Sequence, residues 1–276
     1  MTSVELGIRP DTRIKRTFAQ LKEQGRKALI SFITAGDPGP EFTIAGLHAL
    51  VAGGADLLEL GIPFSDPEAE GPTIQAANER ALAAGITLKQ VLVMVAEFRQ
   101  QDTQTPIILM GYLNSVLAMQ DFAVKASQAG VDGLIMVNLP PEEGNELQAQ
   151  LAASGMDLIY LIAPTTTEVR AAEIISKASG FIYYVSLKGI TGAGNLDTGE
   201  VGIRTNELRA TTEIPLCVGF GIRDADTAAA LSKHADGVVV GSVLVEKMAA
   251  GTDPAVVCQS LHETIADIRQ GLDQQN

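Results

Sequence analysis

Eight short apolar segments, each followed by a stretch with helical periodicity, predict an α/β chain whose parallel strands close into a (β/α)8 barrel. Two further observations point the same way. The apolar segments do not alternate with polar residues, so both strand faces are buried, as in a parallel sheet. No GxGxxG follows the first strand, which weighs against an open doubly wound sheet.

Residues 1–10 read as a loose tail, and 11–24 as an extra N-terminal helix with Phe18 and Leu21 on one side. After Gly25 the first strand covers 28–34 (ALISFIT) and ends in the turn cluster AGDPGP. A helix over 41–52 leads through Gly53 and Gly54 to the second strand, 57–61 (LLELG). Two helices follow, 74–84 and 87–101. The second opens on a capping box, Thr87 with Gln90, before apolar residues at helical spacing. The third strand is 106–112 (PIILMGY). A helix over 121–129 closes at Gly130, and 133–138 (GLIMVN) is the fourth strand. A helix over 141–153 precedes the fifth strand, 158–164 (LIYLIAP). Thr165 and Glu168 cap the next helix, which ends near Gly180. Strand six is 181–186 (FIYYVS), followed by a Gly-rich loop and a helix near 198–211. Strand seven is 215–220 (PLCVGF), helix 225–234 follows, and 237–242 (GVVVGS) is strand eight. Two helices finish the chain. No linker rich in Pro, Gly or Ser divides residues 1–276, so one domain is expected.

Aromatic residues make up only 4% of the chain and Trp is absent, so the core is aliphatic. The net charge of −13 argues against nucleic acid or an anionic membrane as partner. It does not exclude an anionic substrate, because backbone amides bind phosphate without side-chain charge. Cys217 lies in an apolar run and Cys258 in a helical pattern; both read as buried thiols in a reducing compartment. His48, His234 and His262 are far apart and make no metal-ligand spacing, so no metal is expected. The N-terminus has no apolar signal core, and the longest apolar runs are too short to span a bilayer. A soluble cytoplasmic protein is expected.

Barrel active sites sit where strands run into the loops that follow them. Glu59 interrupts an apolar strand. Desolvation there raises a carboxyl pKa and suits it to proton transfer near neutrality. The other reading is a structural carboxylate bonded to amides or to a tyrosine hydroxyl. Three carboxylates, Asp66, Glu68 and Glu70, follow in a tight loop that starts beside Glu59. Glycines 189, 192, 219, 221 and 241, with Ser242 opening a helix, resemble a phosphate cradle after strands six to eight. Lys188, past strand six, supports a rival reading, a Schiff-base aldolase acting on a ketose phosphate. The loop 187–201 is either a lid or a simple connection.

In their order, SFITAGDPGP (31–40), LELGIPFSDPxAxGPTIQ (58–75), PIILMGYLN (106–114), LPPEE (139–143), YYVSLKGITG (183–192), VGFGI (218–222) and GSVLV (241–245) carry a resemblance. Over nearly its whole length the chain resembles the tryptophan synthase α subunit family. That resemblance implies a (β/α)8 barrel that cleaves indole-3-glycerol phosphate to indole and glyceraldehyde 3-phosphate. It implies an αββα complex in which indole passes to a β subunit. It implies no cofactor on this chain, pyridoxal phosphate belonging to the β subunit. By position, Glu59 matches the catalytic glutamate, and Glu70 stands where the family has a catalytic aspartate. Tyr183 matches the tyrosine flanking the glutamate. Gly192, Gly221, Gly241 and Ser242 match the phosphate binders. Phe32 and Met110 fall where residues pack around indole, and Thr191 falls on the lid threonine.

The chain departs from the family at named positions. Glu70 replaces aspartate, Glu68 replaces an apolar residue, and Asn138 replaces the aspartate of DLPPEE. The extra methylene of Glu70 moves its carboxylate by about 1 Å, a displacement that costs on the order of 100-fold in rate when uncompensated. The loop 66–70 and the region near 138 face the β subunit in the family. A second reading follows from these departures: a paralogue of weakened chemistry that mainly binds and activates a β subunit.

Overall fold

A computed structural model describes residues 11–185, 198–219 and 221–274. Eight parallel strands close into a barrel in chain order, β1 pairing with both β2 and β8. They are β1 Ala28–Thr34, β2 Leu57–Gly61, β3 Ile107–Gly111, β4 Gly133–Met136, β5 Asp157–Ile162, β6 Ile182–Val185, β7 Leu216–Gly219 and β8 Gly237–Val240. Every residue of β1, β2, β4, β7 and β8 is buried, as expected of strands covered on both faces. The helices among the described residues are α1 Arg13–Glu23, α2 Pro40–Ala52, α3 Pro72–Ala83, α4 Leu88–Phe98, α5 Leu113–Leu117, α6 Phe122–Ala129, α7 Asn145–Ala153, α8 Glu168–Lys177, α9 Thr198–Arg209, α10 Ala225–Ser232, α11 Ser242–Ala250 and α12 Pro254–Asp273.

Three local expectations change. The one-turn helix α5 replaces the plain loop expected after β3; Asn138 accepts its first amide, from Leu113, at 2.8 Å. The cap of α8 is Thr167, which accepts the Arg170 amide, rather than Thr165; residues 163–166 form a turn instead, closed by Thr166 Oγ1 accepting the Ala163 amide. Cys217 is buried, but Cys258 is half-exposed on α12.

Helix α1 closes the N-terminal mouth of the barrel. Its Ile14, Phe18 and Leu21 join the interior cluster formed by residues such as Ile30, Ile108, Phe181 and Cys217. Phe18 and Phe181 stack at a tilt, 5.8 Å between centroids. Thr12 caps α1 and also donates to Asp157 Oδ2 at 2.7 Å, tying the plug to β5.

The N-terminal rim shows a four-fold regularity. Just ahead of each even strand, a side-chain oxygen accepts an opening amide of the preceding odd strand. Asp56 takes Leu29 N–H at 2.8 Å, Asp132 takes Ile107 at 2.8 Å, Ser179 takes Leu158 at 3.0 Å and Asp236 takes Leu216 at 2.9 Å. The backbone returns each bond: the amides of Asp56, Asp132, Ser179 and Asp236 donate to the carbonyls of the same four residues. The parallel ladder ends at this rim, and amides left there without water or a partner would be costly. Asp132 also accepts Arg99 and Arg13, each at 2.7 Å, and Arg99 spends its other donors on the carbonyls of Gly130, Asp102 and Thr105. Asp132→Ala strands the Arg99 guanidinium, only 10% exposed, and the Ile107 amide. We expect a loss of about 3–5 kcal/mol in urea unfolding, against about 1 kcal/mol for Ser179→Ala. Equal, small losses in both variants would contradict this account of the rim.

Candidate active site

At the C-terminal rim the polar groups are treated in the opposite way. Glu59 lies at the centre of β2, in register with Phe32 of β1 and Ile108 of β3. It is fully buried, and neither carboxylate oxygen has a hydrogen-bond partner among the described residues. The structural alternative, a carboxylate satisfied by amides or by a tyrosine, is therefore not what the barrel builds. Burial raises the Glu59 pKa to about 8, with the negative charge of Glu70 adding to the shift. The side chain thus keeps its proton at neutral pH.

Glu70 reaches the same cavity from the loop between β2 and α3, and burial raises its pKa to about 7. Asp66 and Glu68 in that loop are exposed, so one of the three acidic side chains enters the site. The loop backbone is held at three points. Asn78 Oδ1 accepts the Phe64 amide at 3.0 Å, the Tyr112 hydroxyl accepts the Ala69 amide at 2.9 Å, and Gln75 donates to the Glu70 carbonyl at 2.8 Å. The Phe64 and Tyr112 rings stack at 4.8 Å. Helix α3, which carries Gln75 and Asn78, is itself anchored by Arg80, which donates twice to the buried Asp37 at 2.6 and 3.0 Å.

Tyr183 of β6 is buried, and its phenol is pushed well above its ordinary pKa, first by burial and then by the charges of Glu59 and Glu70. It stays a neutral hydrogen-bond donor. Two strand-end glycines exist to seat rings. A Cβ on Gly219 would lie 2.3 Å from the Tyr183 hydroxyl, and one on Gly61 would lie 2.8 Å from Phe32 Cζ. Gly219 therefore makes room for Tyr183 and does not line the cavity, a correction to its place in the expected phosphate cradle.

The cavity holds about 280 Å³. Its wall includes Glu59, Glu70, Tyr183, Phe32 and Met110 together with Gly221, Gly241 and Ser242. Gly221 has φ +74°, a left-handed conformation that a side chain would strain. Ser242 begins α11, whose first amides have no partner within the helix and favour an anion. The barrel thus gathers eight of the residues singled out in the sequence. Thr191, Gly192 and Gly189 lie outside the described residues, as do Lys188 and the tail 1–10. Sequence reasoning missed the loop clamps Tyr112, Asn78 and Gln75, and the cavity-lining Arg223 and Glu246. Tyr112 had a signal, an aromatic hydroxyl at a strand end; the helix residues had none, because their partners are backbone groups of a loop, the Phe64 amide for Asn78 and the Glu70 carbonyl for Gln75.

The arrangement puts a protonated carboxylic acid, a half-ionised carboxylate and a neutral phenol in one cavity with apolar side chains and the start of α11. This suits a small molecule with a flat apolar ring and an anionic tail that reacts by proton transfer. Among the described residues, no group of three or more His, Cys, Asp or Glu is placed to hold a metal ion. No single helix among them is long and apolar enough to cross a membrane.

The comparisons with known proteins agree on one family. Residues 18–272 match the family model described as tryptophan synthase alpha chain. The tryptophan synthase alpha chain of Thioalkalivibrio sulfidiphilus is 52% identical over 265 residues, covering 95% of this chain and all of that one. The alpha chain of an Azoarcus species is 52% identical over 264 residues, with 95% and 97% covered. Among solved structures, the alpha subunit of Legionella pneumophila tryptophan synthase superposes with a TM-score of 0.88 at 44% identity, covering 95% of this chain and 99% of that one. A tryptophan synthase structure from M. tuberculosis superposes at 0.84 with 31% identity. With the barrel, its cavity and these full-length matches in agreement, the chain belongs to the tryptophan synthase alpha chain family.

Proposed function

We propose that this chain, as one barrel domain, is a carbon–carbon lyase that splits indole-3-glycerol phosphate into indole and glyceraldehyde 3-phosphate. The observation that carries the assignment of residues is Glu59, buried without a partner in the wall of a cavity that also receives Glu70. The bond to break joins indole C3 to a carbinol carbon. Cleavage needs a proton on C3, removal of the carbinol proton, and stabilisation of positive charge at the ring nitrogen. Glu59, protonated at neutrality, donates to C3; the resulting carboxylate then takes the carbinol proton as the carbon–carbon bond opens. Glu70, ionised, faces the ring N–H and offsets its developing charge. Phe32 and Met110 pack the ring, Tyr183 lines the same cavity as a neutral phenol, and Gly221, Gly241 and Ser242 bind the phosphate. Thr191 and Gly192 would complete the lid and the phosphate site.

We also place this subunit in an αββα complex that passes indole to a β subunit, in the cytoplasm. No cofactor is needed on this chain; pyridoxal phosphate serves the partner. Asn138, at the position where the family has an aspartate, accepts Leu113 N–H at 2.8 Å and donates through Nδ2 to Asn114 at 3.3 Å, so it ties the start of α5 to the end of β4.

Three outcomes are expected. Glu59→Gln keeps the side chain's size but removes its acid/base function, so indole release should fall by at least about 100-fold, with or without β subunit. Release at the wild-type rate would reject the mechanism. The pH profile of kcat/KM should be a narrow bell, since Glu70 must lose its proton, near pH 7, and Glu59 must keep its own, up to about pH 8. Glu70→Asp should move the rising limb and change kcat; if neither the wild type nor this variant turns over, the reading as a β-activating paralogue gains. A substrate adduct trapped by borohydride at Lys188 would favour the aldolase instead.

A further inference from the structure

We infer that Arg223 is a phosphate ligand held in reserve by Glu246, and that this pair sets the affinity of the site for phosphorylated ligands. The inference rests on the reading of Gly221, Gly241 and Ser242 as the phosphate end of the cavity. Arg223 follows Gly221 by two residues in the loop between β7 and α10, and Glu246 lies one turn along α11 from Ser242, on the same face. Both line the cavity. The guanidinium donates twice to the carboxylate, Nη1 to Oε1 at 3.3 Å and Nη2 to Oε2 at 2.5 Å. The Thr73 hydroxyl, from the start of α3, also donates to Glu246 Oε1 at 3.4 Å. A strap of three side chains therefore lines the same cavity as Gly221, Gly241 and Ser242.

The charges make this strap more than a tie. An unneutralised carboxylate one helical turn from the anion site repels a phosphate dianion, and the chain as a whole carries −13. Among the described residues lining the cavity, Arg223 is the only cationic side chain. It is therefore the one group there that can offset both Glu246 and a bound phosphate. The pair is also exposed, 55% for Arg223 and 41% for Glu246. An ion pair this open to water is a weak tether that yields to a stronger acceptor. A phosphate offers more charge and three oxygens in a geometry that a guanidinium matches bidentately. The pair is thus poised for partner exchange: Glu246 holds the guanidinium beside the amide cradle when the site is empty, and phosphate takes it on binding.

A purely structural strap makes a different prediction, because removing either partner would then loosen α3 from α11 in the same way. The exchange predicts effects of opposite sign. Inorganic phosphate would be titrated into the full chain by calorimetry, at low and physiological salt, with indole binding measured alongside. Arg223→Met should weaken phosphate binding by about tenfold, since it removes the cation and leaves Glu246 unopposed. Glu246→Gln should tighten it several-fold. The double variant should fall between them, weaker than Glu246→Gln and tighter than Arg223→Met, while indole affinity stays constant throughout. Equal weakening in the two single variants, no change in Arg223→Met, or a parallel loss of indole binding would overturn the exchange. Failure of the wild type to bind phosphate would instead overturn the cradle, and the exchange with it.

Discussion

The structure depends on one unmet interaction, the carboxyl of Glu59 with no hydrogen-bond partner at the centre of a barrel strand. A carboxylate buried in this way is costly, and the side chain answers by keeping its proton. The sign of the cost follows from its shift. The unfolded chain releases this proton near pH 4.5, whereas the native chain keeps it to about pH 8. Between those values the unfolded state binds fewer protons, so this group costs more stability as pH rises, and the full cost is reached above the native value. Much of the surrounding architecture maintains the condition. Both strand faces are covered, α1 plugs the lower mouth, and Gly219 leaves room for Tyr183 to lie close to the acid.

The two rims of the barrel divide the work. At the N-terminal rim, Asp56, Asp132, Ser179 and Asp236 satisfy the opening amides in a repeated reciprocal pattern, and arginines neutralise the three aspartates. At the C-terminal rim, Glu59 is unpaired, Ser242 at the start of α11 lines the cavity, and the loop carbonyl of Glu70 is held by Gln75. The satisfied polar groups gather at one end, and the unpartnered carboxyl of the candidate site lies toward the other. The clamp of Tyr112, Asn78 and Gln75 also bears on the longer side chain at position 70: the loop that carries Glu70 is fixed, so the extra methylene must be accommodated by the side chain itself.

Much of this was legible in the sequence because the signals were local. Apolar runs without alternation gave the parallel strands, and one charged residue inside LLELG marked the acid. The glycine clusters marked a crowded rim, but not what crowded it; Gly219 of β7 makes room for the Tyr183 ring on neighbouring β6, a relation set by strand pairing. The cap of α8 was misplaced by two residues because Thr165, Thr166 and Thr167 offer the same chemistry and only the turn selects among them. The four-fold rim escaped notice because its repeat lies in single Asp and Ser residues at unequal spacings. Arg223 and Glu246 escaped for a similar reason: each reads as an ordinary surface charge until the closing of β8 against β1 brings α11 and α3 to one mouth.

The account turns on the proton of Glu59, and that proton can be observed without turnover. Infrared difference spectroscopy across pH would follow the carbonyl stretch of a protonated carboxyl in the free protein. The expected result is a component that titrates near pH 8, separate from that of Glu70 near pH 7, and that is absent from Glu59→Gln but retained in Glu70→Asp. A Glu59 carboxyl that ionises near its ordinary value of 4.5 would contradict the account.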